Sequence, residues 1–189
     1  DRCDLAQLDT REAHALLMTH GEALLEIEPR RGLEKMEQAR LTYPNARTAE
    51  SEQALLDAYL AAGQTAAARR MVMELAAHVR EQPIDAPRLV DAAIAWGDHL
   101  YAKRDYRAAA DAYDMAIDAA TTPQGRVRGV SEDVRWAKYQ RANALLEQGD
   151  FAGSLVLYNE IAKSDAPWAE EAGAKAEYAR LEQRMRGTA

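Results

Sequence analysis

Apolar residues recur with the helical period of about 3.6 along almost the whole chain, and capping or breaking residues interrupt them at short intervals. The interruptions predict nine helices. Thr10 precedes an apolar-periodic stretch over 13–28. Pro29, suited to a first turn, opens 29–43. Thr48 introduces 50–62, stopped by Gly63, and Thr65 introduces 66–80, stopped before Pro83. Asp85 is expected to cap 86–103 and Asp105 to cap 106–120. Ser131, followed by Glu132 and Asp133, opens a helix that ends at Gly149. Asp150 precedes 151–163, and Pro167 opens a last helix to about Arg186. Short loops between helices imply antiparallel neighbours.

Composition agrees with an all-α fold. Forty of the 189 residues are alanine, the best helix former, while valine and isoleucine together number twelve and phenylalanine one. An all-β domain is excluded and a βα-alternating enzyme fold is disfavoured. The length suits one domain. Its expected parts are a lead-in over 1–9, helix pairs over 10–45, 46–83, 85–121 and 131–166, a loop inserted at 121–130, and a capping helix with tail over 167–189.

The second helices of the four pairs open at Pro29, Thr65, Tyr106 and Phe151. Three residues later stand Gly32, Ala68, Ala109 and Ser154, all small; seven later stand Met36, Val72, Tyr113 and Tyr158, all large. In the preceding helices, Ala23, Tyr59, Leu100 and Leu145 lie six residues before these openings. His20, Leu56, Gly97 and Ala142 lie nine before. Small residues let two helix backbones approach, and the large ones fill the space between them. A hairpin of this kind cannot bury its apolar face alone, so neighbours must stack.

This register resembles the tetratricopeptide repeat (TPR). Residues 89–120 carry it best, with Trp96-Gly97, Leu100, Tyr106, Ala109, Tyr113 and Ala116 at the family's offsets, and residues 141–162 come next. The match is looser over 50–80 and weakest over 13–44, and its period exceeds the usual length of about 34 residues. The resemblance implies a right-handed α-solenoid of four hairpins with 167–186 as its cap, Trp168 sealing the last pair. The alanine-rich style is similar to bacterial TPR proteins, many of which serve envelope or multiprotein assemblies.

The charge balance, 24 basic against 31 acidic residues, gives a net charge of −7. The acidity is spread evenly along the chain. A nucleic-acid partner is not expected, because binding one needs a clustered basic face. No apolar run approaches the ~20 residues of a membrane span. Cys3 is the single cysteine, which excludes an internal disulfide, and Asp1-Arg2 before it do not suit lipidation. No signal peptide is expected, and the abrupt start at Asp1 suggests a piece excised from a longer protein.

Catalytic and cofactor chemistry finds little support in the sequence. Gly125-Arg126-Val127-Arg128-Gly129 lacks the preceding strand of a dinucleotide loop and reads as a solvated linker or a basic contact loop. His14, Met18 and Glu22 share one helical face, but His14 and His20 are poorly spaced for a shared metal and no second cluster completes a site. No carboxylate pair or nucleophile context stands out. A non-enzymatic protein without cofactor or metal is expected.

The resemblance places the inner wall of the array on the first helix of each pair. Its lining would be His14, Leu17, Gly21 and Leu24; Glu50, Gln53, Asp57 and Leu60; Asp91, Ile94, Asp98 and Tyr101; and Trp136, Tyr139, Asn143 and Leu146. Of these, Asp57, Asp91, Ile94, Asp98, Tyr101, Trp136, Tyr139 and Asn143 are the candidate partner-binding residues. Aromatic side chains are enriched in binding hot spots, and the carboxylates would select basic groups. The alternative for Trp136 and Tyr139 is packing against the preceding pair or the inserted loop. A clamp for an acidic C-terminal tail is not expected, since only Asn143 suits it. The expected function is a scaffold that captures a peptide, helix or protein of basic or apolar character. The rival readings are a sensor of small effectors or signalling peptides regulating an attached domain, and a self-associating assembly unit.

Overall fold

Side-chain caps set four of the helix starts. In a computed structural model that describes residues 8–122 and 131–187, Asp9 accepts hydrogen bonds from the Arg11 and Glu12 amides, and the Asp9 amide donates in turn to the Glu12 carboxylate. This reciprocal box starts α1 at Thr10, one position earlier than a Thr10 cap would. Thr48 and Ser51 form the corresponding pair for α3, while Asp105 and Asp150 cap α6 and α8.

The helices are α1 (Thr10–Leu25), α2 (Pro29–Thr42), α3 (Ala49–Ala61), α4 (Thr65–Glu81), α5 (Ala86–Ala102), α6 (Tyr106–Thr121), α7 (Ser131–Glu147), α8 (Phe151–Ala162) and α9 (Ala169–Gly187). Among the described residues two 3₁₀ turns, Pro44–Ala46 and Pro83–Asp85, add to the expected helices, and each opens with a proline. Asp85 does not cap α5 with its side chain, because its carboxylate is taken by His78 (3.0 Å) and Arg88 (3.6 Å). No strand occurs among the described residues, so the all-α class holds. Cys3 and the Gly125–Gly129 loop lie outside the described residues.

The chain divides into two compact units, Asp1–Met71 and Val72–Ala189, with the division inside α4. In the first unit α1 and α2 form a hairpin, and both touch α3. The α1 and α2 backbones approach closely at Gly21 and Gly32. A methyl group on Gly32 would stand 2.7 Å from the Gly21 carbonyl oxygen and 2.8 Å from the Leu25 amide nitrogen. Across the first-unit surface, Arg40 and Glu52 pair at 3.1 Å and Tyr59 donates to Glu37 at 2.7 Å.

In the second unit α5 pairs with α6, α6 packs on α7, α7 pairs with α8, and α8 packs on α9; α5 also meets α7. Tyr113 and Tyr158, both fully buried, fill the two hairpins. Each tyrosine hydroxyl reaches the residue fifteen positions before it: Tyr113 donates to Asp98 at 2.6 Å and Tyr158 to Asn143 at 2.7 Å. Burial, and for Tyr113 the nearby Asp98 carboxylate, keep both hydroxyls protonated. The small positions expected at the contacts are buried: Gly97, Ala109, Ala116, Ala142 and Ser154.

The same comparison corrects the register of the first hairpin. Gly21, not His20, is the buried small residue opposite the large Met36, and His20 is exposed. The turns before α4, α6 and α8 each hold one residue in the left-handed region, Gly63, Arg104 and Gly149. The α1–α2 turn has none and closes one residue sooner, which shifts the alignment of α1 by one. Leu17 and Gly21 are accordingly buried rather than lining an open wall, and His14 is buried too, reaching only the edge of a cleft.

Candidate functional site

The wall expected from the sequence is best developed in the second unit, where α5 and α7 stand side by side. From α5 it receives Asp91, Ile94, Asp98 and Tyr101. Asp91 is exposed, and the other three are partly exposed. The spacing of three and four residues puts them on one helical stripe. Tyr101 meets Tyr106 edge-on at 5.2 Å near the end of α5.

Polar side chains run along this wall as a connected row. Asp98 accepts from Tyr113 and, at 3.4 Å, from the Gln140 amide of α7. Gln140 accepts from the Asn143 amide at 2.7 Å. The Asn143 oxygen accepts from Tyr158 and from Lys175 of α9 at 2.9 Å. Lys175 also donates to the Tyr139 hydroxyl at 2.8 Å and pairs with Glu171 at 3.0 Å. Burial works against the Lys175 charge, but Tyr139 and Glu171 hold its ammonium above the usual lysine value.

Two expectations are corrected here. Tyr139 and Asn143 are 5% and 8% exposed, and α9 covers them. Their polar ends are spent on Lys175, so neither offers itself to a partner. The Tyr139 ring packs against Trp168 at 6.0 Å, and Trp136 meets Trp168 edge-on at 5.3 Å. The aromatics of α7 therefore pack against Trp168 in the segment leading into α9. Trp136 stays partly exposed beside this cluster. Sequence reasoning missed Lys175 and Gln140; the available signal was a lone lysine amid Ala172, Ala174 and Ala176.

At the other end of the wall Asp91 lies near Asp133 of α7. Although Asp91 as a whole is exposed, partial desolvation of its carboxyl, and then the Asp133 charge, push that carboxyl above the usual carboxylate range. A nearby like charge disfavours the charged form of Asp91, and a cationic group placed between the two would relieve it. Asp98, by contrast, already serves the buried Tyr113 hydroxyl. Asp57 belongs to the first unit, where it is exposed and accepts from Gln53 at 2.8 Å.

The first unit carries an open cleft of about 540 Å³ between α1, the Pro44–Ala46 turn and the start of α3. The face bearing His14, Met18 and Glu22 lines it, together with Arg11 and Arg47. Among the described residues no group of three or more histidine, cysteine or acidic side chains is arranged to hold a metal. His14 is 4% exposed. Its burial lowers the imidazole pKa; Glu52 opposes this shift and Arg47 adds to it.

A histidine held neutral by burial contributes stability that is complete above its unfolded pKa of about 6.5 and is lost as pH falls through the lower folded value. Burial acts in the same direction on His99 in the second unit, aided by Lys103. The thermal midpoint is therefore expected to fall by a few degrees between pH 7 and pH 5.5. In His14→Gln the first-unit share of that slope disappears while the His99 share remains. An unchanged slope in His14→Gln would contradict the assignment.

Among the described residues, no helix is long and apolar enough to cross a membrane. No protein-family model, curated protein or solved structure matches the chain.

Proposed function

We propose that this chain is a TPR-like array acting as a non-enzymatic scaffold, and that it captures an extended peptide or helix on the α5–α7 wall of its second unit. The observation that carries the reading is the wall itself. Ile94, Tyr101 and Trp136 present apolar and aromatic surface on rigid helices, beside the acidic pair Asp91 and Asp133. The recurring pairing of a buried tyrosine with the residue fifteen positions earlier supports the hairpin-repeat reading behind it. A preformed surface of this kind loses little entropy on binding. Its charge selects peptides that carry lysine or arginine next to an apolar anchor.

The test is selection of peptides from a random displayed library on the full chain, followed by calorimetry with the winners. Basic–apolar peptides are expected to dominate. Tyr101→Ala should weaken them at least about tenfold, a loss of about 1.4 kcal/mol, and Asp91→Lys should weaken the basic ones further. Asp98 is unsuitable for charge reversal, because Tyr113 depends on it. Winners that bind both variants as tightly as the parent chain would place the binding surface elsewhere.

A further inference from the structure

Helix α9 is apolar on two opposite sides. Ala172, Ala176 and Ala179 are buried on the side packed against α8. On the other side Tyr178, Leu181 and Met185 are 52%, 55% and 59% exposed. With Ala174, also exposed, they stand at successive spacings of four, three and four residues. That spacing is the seam of a two-helix coiled coil, and it lies roughly opposite the buried alanines. A helix with two apolar sides is built to be covered on both.

We propose that this seam is the contact surface for a second copy of the chain, the two α9 helices packing antiparallel across a two-fold axis. Charge decides both the occupant and the direction. The residues flanking the seam on one side are Glu177 and Arg184. Glu177 pairs with Arg180 within its own helix, and in an antiparallel pair it also faces the Arg184 of the other copy, adding two opposite-charge contacts between the copies. In a parallel pair Glu177 would face Glu182 twice, and like charges would repel. The first part of α9 holds Glu170, Glu171 and Glu177 with Lys175, and the last part Arg180, Arg184 and Arg186 with Glu182, so the first is net acidic and the last net basic. The antiparallel arrangement therefore sets acidic half against basic half, and opposes the two helix dipoles. An isologous contact of this kind closes on itself and stops at a dimer. Lys175 takes no part, since Tyr139, Asn143 and Glu171 hold it on the inner face. The seam is separate from the α5–α7 wall, so this dimer stands or falls independently of peptide capture.

Sedimentation velocity on the full chain, from the micromolar range upward, tests the proposal. A reversible monomer–dimer equilibrium is expected. Leu181→Glu, at an exposed position that the monomer does not need, should leave the circular dichroism unchanged and abolish the dimer. Glu177→Arg and Arg184→Glu should each weaken association about tenfold or more, and the double exchange should restore it to within a few-fold. A chain that stays monomeric throughout would show that this face is covered by something other than a second copy. A dimer indifferent to Leu181→Glu, or a double exchange no better than its parts, would place the contact or its direction elsewhere.

Discussion

Gly97→Ala is expected to destabilise the protein by about 2–3 kcal/mol, although the same exchange in an exposed helix interior is worth about 1 kcal/mol in the opposite sense. The added methyl group would stand 2.6 Å from Cε1 of Tyr113 and 2.8 Å from its Cδ1. Separations below 3 Å force something to move. The Tyr113 ring is fully buried, and its hydroxyl is tied to Asp98 at 2.6 Å, so it cannot swing aside without breaking that bond. The remaining relief is to separate α5 from α6, which opens space along the hairpin that carries half of the candidate wall. Overpacking of this kind outweighs the propensity gain. The measurement is a denaturant titration; a midpoint equal to or above that of the parent chain would show that the two helices are not in the close contact described.

The second large effect concerns Asn143. Replacing it by leucine leaves the hydroxyl of the fully buried Tyr158 without its acceptor and removes one of the partners of Lys175. A buried donor left unsatisfied costs about 1–3 kcal/mol, and the loss at the partly buried Lys175 adds to it. A total of about 2–4 kcal/mol is expected from chemical unfolding. Asn143→Asp should be far milder, near 1 kcal/mol or below. A carboxylate accepts from both Tyr158 and Lys175, and Asp98 already performs this service for Tyr113 one hairpin earlier. Only the amide donation to Gln140 is lost. If the aspartate variant is as damaged as the leucine one, the two hairpins are not equivalent at this position.

These two sites mark how far the sequence can be read. The helices are legible because their ends carry local chemistry: Pro29, Thr48, Asp105 and Asp150 each begin a helix where expected. The small and large positions of the second unit are legible as well, because Gly97 and Ala142 are small for a steric reason that leaves a mark in the sequence. The first hairpin departs by one residue, since the conformation of a turn is not written in helical periodicity. Asp9 in place of Thr10 as the α1 cap is a choice between adjacent capable residues, decided by the reach of Glu12.

The wall is half legible. Periodicity puts Asp91, Ile94, Asp98 and Tyr101 on one stripe, and the structure keeps them there, at least partly exposed. It also puts Tyr139 and Asn143 on the corresponding stripe of α7, where both are covered. The covering comes from α9, and coverage is a tertiary fact that no spacing within α7 encodes. Asp98 shows the same limit: its position is periodic, but its engagement by Tyr113 and Gln140 depends on two other helices.

The account rests on the α5–α7 wall being the surface that meets a partner. The three tryptophans allow this to be read directly, since their indole amides give separate signals in a ¹⁵N-labelled sample. Trp96 is 7% exposed in the core, Trp168 belongs to the cluster under α9, and Trp136 borders the wall. Titration with a selected basic–apolar peptide is predicted to shift the Trp136 indole signal together with the backbone signals of Ile94 and Tyr101, leaving Trp96 in place. Saturable binding that leaves Trp136, Ile94 and Tyr101 unmoved, with its shifts confined to the first unit or to the exposed side of α9, would contradict the account.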